Sequence, residues 1–158
     1  MEGSLLSLIA AVVLMDKIRV LFVCTHNSAR SQMAETFLNG LGEGRFEAES
    51  AGLEPRNINP LVVKVMKEAG YDLTLNKADS VFDFYKEGRL YDHVIYVCDK
   101  ATEEKCPIFP GLVRSLNWPF KDPAEVSGTE QEKLDSIRKI RDEIRDRIEH
   151  WIAELPNA

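Results

Sequence analysis

The sequence predicts an α/β fold, a single doubly wound domain in which helices flank a short parallel sheet of about four strands. Three observations predict it. Apolar, β-favouring runs alternate with segments of helical periodicity. The first such run is apolar throughout, as in strands buried on both faces of a parallel sheet. The 158 residues are also enough for one hydrophobic core of their own.

The predicted strands are short runs of β-branched and other apolar residues, at positions 19–24, 46–51, 93–98 and 113–118. Helical spacing of apolar residues predicts a helix over 31–41, and Asn59-Pro60 starts another through Ala69. A capping box of Thr129 and Glu132 opens a long C-terminal helix with one apolar stripe. Between these elements, residues 76–90 are expected to form a loop with a helical turn, and residues 99–111 a mobile surface loop.

Composition narrows the classes of function. A net charge of −6 argues against nucleic-acid binding. Three cysteines without a secretory signature indicate a reducing cytoplasm rather than a disulfide framework. The apolar run at 5–15 is too short to span a membrane, so residues 1–15 are interpreted as an extension outside the domain, which covers 16–158. A weak membrane contact or a partner-binding helix is the alternative for this segment.

One loop carries a chemical signature, because Cys24 and Arg30 bracket five residues between a buried strand and a helix. Backbone N–H groups of such a turn, together with the helix N-terminus, favour a bound oxyanion and a cysteine thiolate. Arg30 can donate a bidentate pair to the anion, and Asn27 tolerates the left-handed backbone that such loops need. The predicted nucleophile is therefore Cys24, and the predicted oxyanion-binding residues are Thr25, His26, Asn27, Ser28, Ala29, Arg30 and Ser31.

Residues 20–35, VLFVCTHNSARSQMAE, closely resemble the opening of thioredoxin-coupled arsenate reductases, which share the low-molecular-weight protein tyrosine phosphatase fold. The resemblance continues through Ser50-Ala51-Gly52 and through the segment 117–124, NWPFKDPA, so it covers essentially residues 17–155. It implies a loop stiffened by a hydrogen bond from Ser50 to Asn27.

The loop alone leaves two enzymes open, since phosphate and arsenate are near-isosteric. In either chemistry a general acid protonates the leaving oxygen, and Asp122 in its Asp-Pro turn is the candidate. Phosphatases of this fold usually carry an aromatic residue after that Asp-Pro, where this chain has Ala124.

Cys98 and Cys106 favour the reductase, because reduction of arsenate needs two electrons that a thiol relay can supply. The implied sequence is a Cys24–Cys98 disulfide, then a Cys98–Cys106 disulfide that thioredoxin reduces, with no metal or organic cofactor and no membrane partner. The seven residues between Cys98 and Cys106 exceed the usual six by one, which leaves glutaredoxin as an alternative reductant. A phosphatase, and a non-catalytic redox-sensing or anion-binding module, remain as alternatives.

Overall fold

The computed structural model of the chain describes residues 17–155, so the predicted extension at 1–15 lies outside the described residues. Its four strands are β1 (Ile18–Cys24), β2 (Phe46–Gly52), β3 (His93–Tyr96) and β4 (Arg114–Asn117). All neighbours pair in parallel in the order β2-β1-β3-β4, which confirms the predicted doubly wound sheet. The two central strands, β1 and β3, consist mainly of apolar residues because helices or other chain segments cover both faces of the sheet.

Five helices connect or follow the strands: α1 (Arg30–Leu41), α2 (Pro60–Glu68), α3 (Val81–Lys86), α4 (Lys100–Lys105) and α5 (Glu130–Glu154). Helices α1, α2 and α5 pack on one face of the sheet, where Phe22 and Ile95 of the central strands meet Phe37 and Ile144 of the helices. Helix α3 and the chain around Phe109 cover the other face. Alternate residues of β1 therefore belong to two different cores.

Helix α5 follows its sequence pattern closely. Thr129 and Glu132 form the predicted capping box, in which the Thr129 hydroxyl accepts from the Glu132 N–H and the Glu132 carboxylate accepts from the Thr129 N–H. Every third or fourth residue of the helix is buried, at positions Ile137, Ile140, Ile144, Ile148 and Trp151. Within residues 17–155, no helix is both long enough and apolar enough to cross a membrane.

The prediction of a mobile loop over residues 99–111 is wrong for its first half, which forms α4. Six residues are too few to display an apolar period, so no helical pattern is visible in the sequence. The helix is held by tertiary contacts instead: the Thr102 side chain is buried, and its hydroxyl lies 3.2 Å from that of Thr25.

Candidate active site

The loop of residues 24–30 leaves the carboxyl end of β1, which lies between β2 and β3 in the sheet. Connections from β1 to α1 and from β3 to α4 therefore diverge at this edge. In open α/β sheets ligands bind at such switch points. The fold places Cys24, Cys98 and the chain after β4 on this rim, as the sequence predicted.

The carbonyl groups of the loop are all turned away from its centre. Four of them accept N–H groups from the segment that follows β2, in the pairs Cys24–Leu53 (3.3 Å), Thr25–Glu54 (2.8 Å), His26–Arg56 (3.0 Å) and Ser28–Asn59 (2.9 Å). A trans peptide places the next N–H opposite its carbonyl, so these bonds turn the following N–H groups inward. The N–H of Asn27 demonstrates this, since it points at the Cys24 sulfur at 3.1 Å. The loop is thus a nest of donors suited to an oxyanion.

The Cys24 sulfur sits at the bottom of this nest with only 3% of the residue exposed. Besides the Asn27 N–H, it has the Ser31 hydroxyl at 2.8 Å. Asn27 has φ 51°, the predicted left-handed conformation. Hydrogen bonds of this kind stabilise a negatively charged sulfur.

The expected bond from Ser50 to Asn27 is not among the hydrogen bonds of residues 17–155. Ser50 pairs with Phe22 in the β1–β2 ladder, whereas Gly52 pairs with Cys24, so Ser50 lies two residues back from the loop. Ser50 lies beside the Glu35 carboxylate, whose pKa it lowers. Asn27 is bound by Ser31, Gln32 and the N–H of Asp79 instead.

Arg30 begins α1 and reaches across to the chain after β4. Its Nη1 donates to the Phe120 carbonyl at 3.2 Å, and its Nη2 lies 3.7 Å from Oδ2 of Asp122. The other oxygen of Asp122 accepts from the Ala124 N–H at 2.9 Å and caps a short 3-10 turn, Pro123–Glu125. A carboxyl group is thereby fixed beside the guanidinium of the residue that ends the anion loop.

Cys98 and Cys106 are free thiols that belong to different cores. Cys98 shares the core that contains Cys24, and its sulfur donates a long hydrogen bond to the carbonyl of Val23. Cys106 lies in the core on the other face. Burial raises the pKa of both thiols, which keeps them protonated at neutral pH in this conformation. Among the described residues, no group of three or more His, Cys, Asp or Glu side chains is arranged to hold a metal ion.

Three residues at the site had not been singled out from the sequence. Thr102 joins α4 to the loop through Thr25. Gly52 packs against the loop so closely that a Cβ would lie 2.7 Å from the Asn27 nitrogen. Gln32 is buried and binds the carbonyl and the side chain of Asn27. Only Gly52 had a local signal, its place at the end of a predicted strand beside the loop.

Comparison with known proteins agrees with this geometry. Residues 19–158 match the model of the low molecular weight phosphotyrosine protein phosphatase family. An arsenate reductase from Bacillus licheniformis is 39% identical over 137 residues, which cover 87% of this chain and 96% of that protein.

Solved structures give the same picture. An arsenate reductase in the phosphate binding state superposes with a TM-score of 0.68 at 30% identity, covering 88% of this chain and 99% of that one. A low molecular weight protein tyrosine phosphatase from T. tengcongensis does so with a TM-score of 0.69 at 26% identity, covering 88% of this chain and 100% of that one. The resemblance drawn from residues 20–35 is thereby confirmed.

Proposed function

This chain belongs to the low molecular weight phosphotyrosine protein phosphatase family, and from that premise we propose that it is an arsenate reductase with Cys24 as nucleophile. Its curated relatives that are named arsenate reductase support this choice, as does the 39% identity to one of them. The phosphatase chemistry of the family name uses the same loop, so the choice depends on residues outside the loop.

The observation that carries the proposal is a second free thiol, Cys98, in the same buried core as Cys24 and next to the end of the same strand. A phosphatase needs one cysteine and a water molecule. A reductase must deliver two electrons to arsenic, and a neighbouring thiol can supply them by forming a disulfide.

The first step is proposed to be attack of the Cys24 thiolate on arsenic. The loop N–H groups and Arg30 bind the arsenate oxygens, and Asp122 protonates the oxygen that leaves as water. A sulfur–arsenic bond forms and an arsenic–oxygen bond breaks. Arsenic stays pentavalent in this step, so no electrons are transferred yet.

Reduction follows when the Cys98 thiol gives up its proton to the leaving arsenite and its sulfur attacks the Cys24 sulfur. The sulfur–sulfur bond forms, and the electron pair of the broken sulfur–arsenic bond goes to arsenic, which leaves as arsenite. Cys106 then attacks Cys98, which frees Cys24 and leaves a Cys98–Cys106 disulfide. A thioredoxin-type dithiol reduces this disulfide. Dependence on such a reductant is in keeping with a reducing cytoplasm.

The last exchange is proposed to involve movement of helix α4, because Cys98 and Cys106 belong to different apolar clusters. Helix α4 connects them and is short, so its release has a small conformational cost. Beyond Cys106 the chain exposes Ile108 (90%) and Leu112 (101%), two apolar side chains on which a reductant protein could dock. This supports delivery of electrons at the Cys106 end of the relay.

The relay is tested by counting arsenite released per enzyme, with and without thioredoxin, thioredoxin reductase and NADPH. Without the reductant, the wild type and Cys106→Ser should each release about one arsenite per chain, because Cys24 and Cys98 complete the reduction. Cys98→Ser should release none. With the reductant, only the wild type should turn over repeatedly.

Controls separate the relay from the loop chemistry. Cys98→Ser and Cys106→Ser should keep any aryl-phosphate hydrolysis of the wild type, whereas Cys24→Ser should lose every activity. Sustained turnover by either relay variant would refute the relay. If the protein hydrolyses aryl phosphates but produces no arsenite from arsenate, it is a phosphatase. If it acts on neither substrate, it is a binding or sensing module. Repeating the turnover assay with glutaredoxin and glutathione in place of thioredoxin shows which of the two reductants the enzyme uses.

A further inference from the structure

Gln32 occupies an unusual position for a polar side chain, since it is only 2% exposed in the first turn of α1. Its Nε2 donates to the Asn27 carbonyl (3.1 Å), to Asn27 Oδ1 (3.1 Å) and to the Lys77 carbonyl (3.2 Å). Its Oε1 accepts from Asn76 Nδ2 at 3.1 Å. The side chain is therefore fully used, because its two amide hydrogens are shared among three acceptors and its oxygen accepts one hydrogen bond.

These bonds fix which way the Asn27 amide faces. The atom of that amide nearest Asp79 meets a backbone N–H at 2.9 Å and the Gln32 donor at 3.1 Å. A backbone N–H only donates, so this atom is the oxygen. The nitrogen must then face Ser31, whose hydroxyl lies 2.8 Å away.

The direction of the next bond follows. The Ser31 oxygen accepts from Asn27 Nδ2, so its single hydrogen is left for the Cys24 sulfur at 2.8 Å. A hydroxyl that donates to sulfur favours the thiolate over the thiol. If the Asn27 amide were reversed, its oxygen would compete with sulfur for that hydrogen.

We propose that Gln32 is a positioning residue that, together with the Asp79 N–H, holds the Asn27 amide in this orientation and thereby commits the Ser31 hydroxyl to donate to Cys24. The inference rests on Cys24 as the nucleophile of the proposed function and on nothing specific to arsenate. It also joins the anion loop to residues 76–79, because one side chain binds Asn76, the Lys77 carbonyl and Asn27 together.

The experiment measures the rate of Cys24 alkylation by iodoacetamide as a function of pH. Trypsin separates the three cysteines, since Cys24, Cys98 and Cys106 fall in the peptides 20–30, 90–100 and 106–114. Mass spectrometry then follows each thiol in the same sample. The thiolate is the reactive form, so the midpoint of each profile reports the ionisation of that cysteine.

Gln32→Met removes the donors at nearly constant length. We expect the midpoint of the Cys24 profile to move to higher pH, so that alkylation at a pH well below the wild-type midpoint is about tenfold slower, while the Cys98 and Cys106 profiles stay in place. Asn76→Ala is the matched control, because it removes a hydrogen bond to Gln32 and leaves the three donor contacts. Asn76→Ala should lower the midpoint temperature of thermal unfolding and leave the midpoint of the Cys24 alkylation profile unchanged.

An unchanged Cys24 midpoint in folded Gln32→Met would overturn the proposal, and so would an equal shift in Asn76→Ala. Should Gln32→Met not fold, the wild type still tests it: the Asn27 side-chain amide protons must exchange slowly with D2O, and exchange at the rate of an exposed asparagine refutes the fixed amide. A wild-type Cys24 that is alkylated at neutral pH no faster than Cys98 and Cys106 would instead contradict the proposed function.

Discussion

Replacement of Gly52 by alanine tests whether the shape of the anion loop depends on backbone-to-backbone packing. A Cβ at this position would lie 2.7 Å from the Asn27 nitrogen and 2.9 Å from both the His26 carbonyl carbon and the Thr25 oxygen. Ordinary contact begins at about 3.4 Å, so the loop must move by about 0.7 Å, and every atom in the way is backbone. Displacements of this order in a catalytic site cost on the order of 100-fold in rate.

The assay is arsenate-dependent NADPH oxidation with thioredoxin and its reductase. Gly52→Ala should lower kcat/KM by on the order of 100-fold and the stability by about 1–3 kcal/mol. Gly70→Ala is the control, because its φ of +94° makes alanine strained while no atom lies within 4 Å of the new Cβ. It should lose comparable stability and keep its activity. A Gly52→Ala enzyme within threefold of the wild type, or an equal loss of activity in Gly70→Ala, would refute the reasoning.

Two further predictions concern stability. Burial, with the charges of Glu49 and Asp79, raises the pKa of Glu35 to about 7, so its contribution to stability is complete below pH 4.5 and is lost as the pH rises through 7. In urea unfolding, the free energy of unfolding of Glu35→Gln should therefore equal that of the wild type near pH 4.5 and exceed it by up to about 3 kcal/mol at pH 8. A difference that does not vary with pH would contradict this. Ile144→Ala should lower the free energy of unfolding by about 2–5 kcal/mol, because Ile144 is fully buried in α5. Replacement of its exposed neighbour in Glu143→Ala should change that free energy by no more than about 0.5 kcal/mol.

The sequence predicted best what local patterns encode. The strand before Cys24 and helix α5 were predicted to within a few residues. A continuous apolar run and a capped apolar stripe are both strong local signals of secondary structure. The left-handed Asn27 was also predicted, since few residue types adopt that backbone. These features depend on residues close together in the chain.

Contacts between distant residues could not be predicted in the same way. The partner of Asn27 was expected to be Ser50, whereas the structure brings Gln32 and the N–H of Asp79 to it. Which polar group reaches a loop depends on strand register, and register fixes Ser50 two residues short of the site. Helix α4 was missed for a related reason, because its docking through Thr102 is a tertiary contact.

The proposed relay makes opposite demands on two neighbouring segments. The anion loop must keep its shape through the reaction, and four backbone hydrogen bonds from residues 53–59 together with Gln32 hold it from outside. The chain between Cys98 and Cys106 must move, and its short helix meets the loop through the hydroxyls of Thr25 and Thr102. Because the loop draws its support from residues 53–59 and, through Gln32, from the 76–79 segment, release of α4 removes none of the backbone bonds that shape the nest. Rigidity at Cys24 and motion at Cys106 are thus compatible in one small domain.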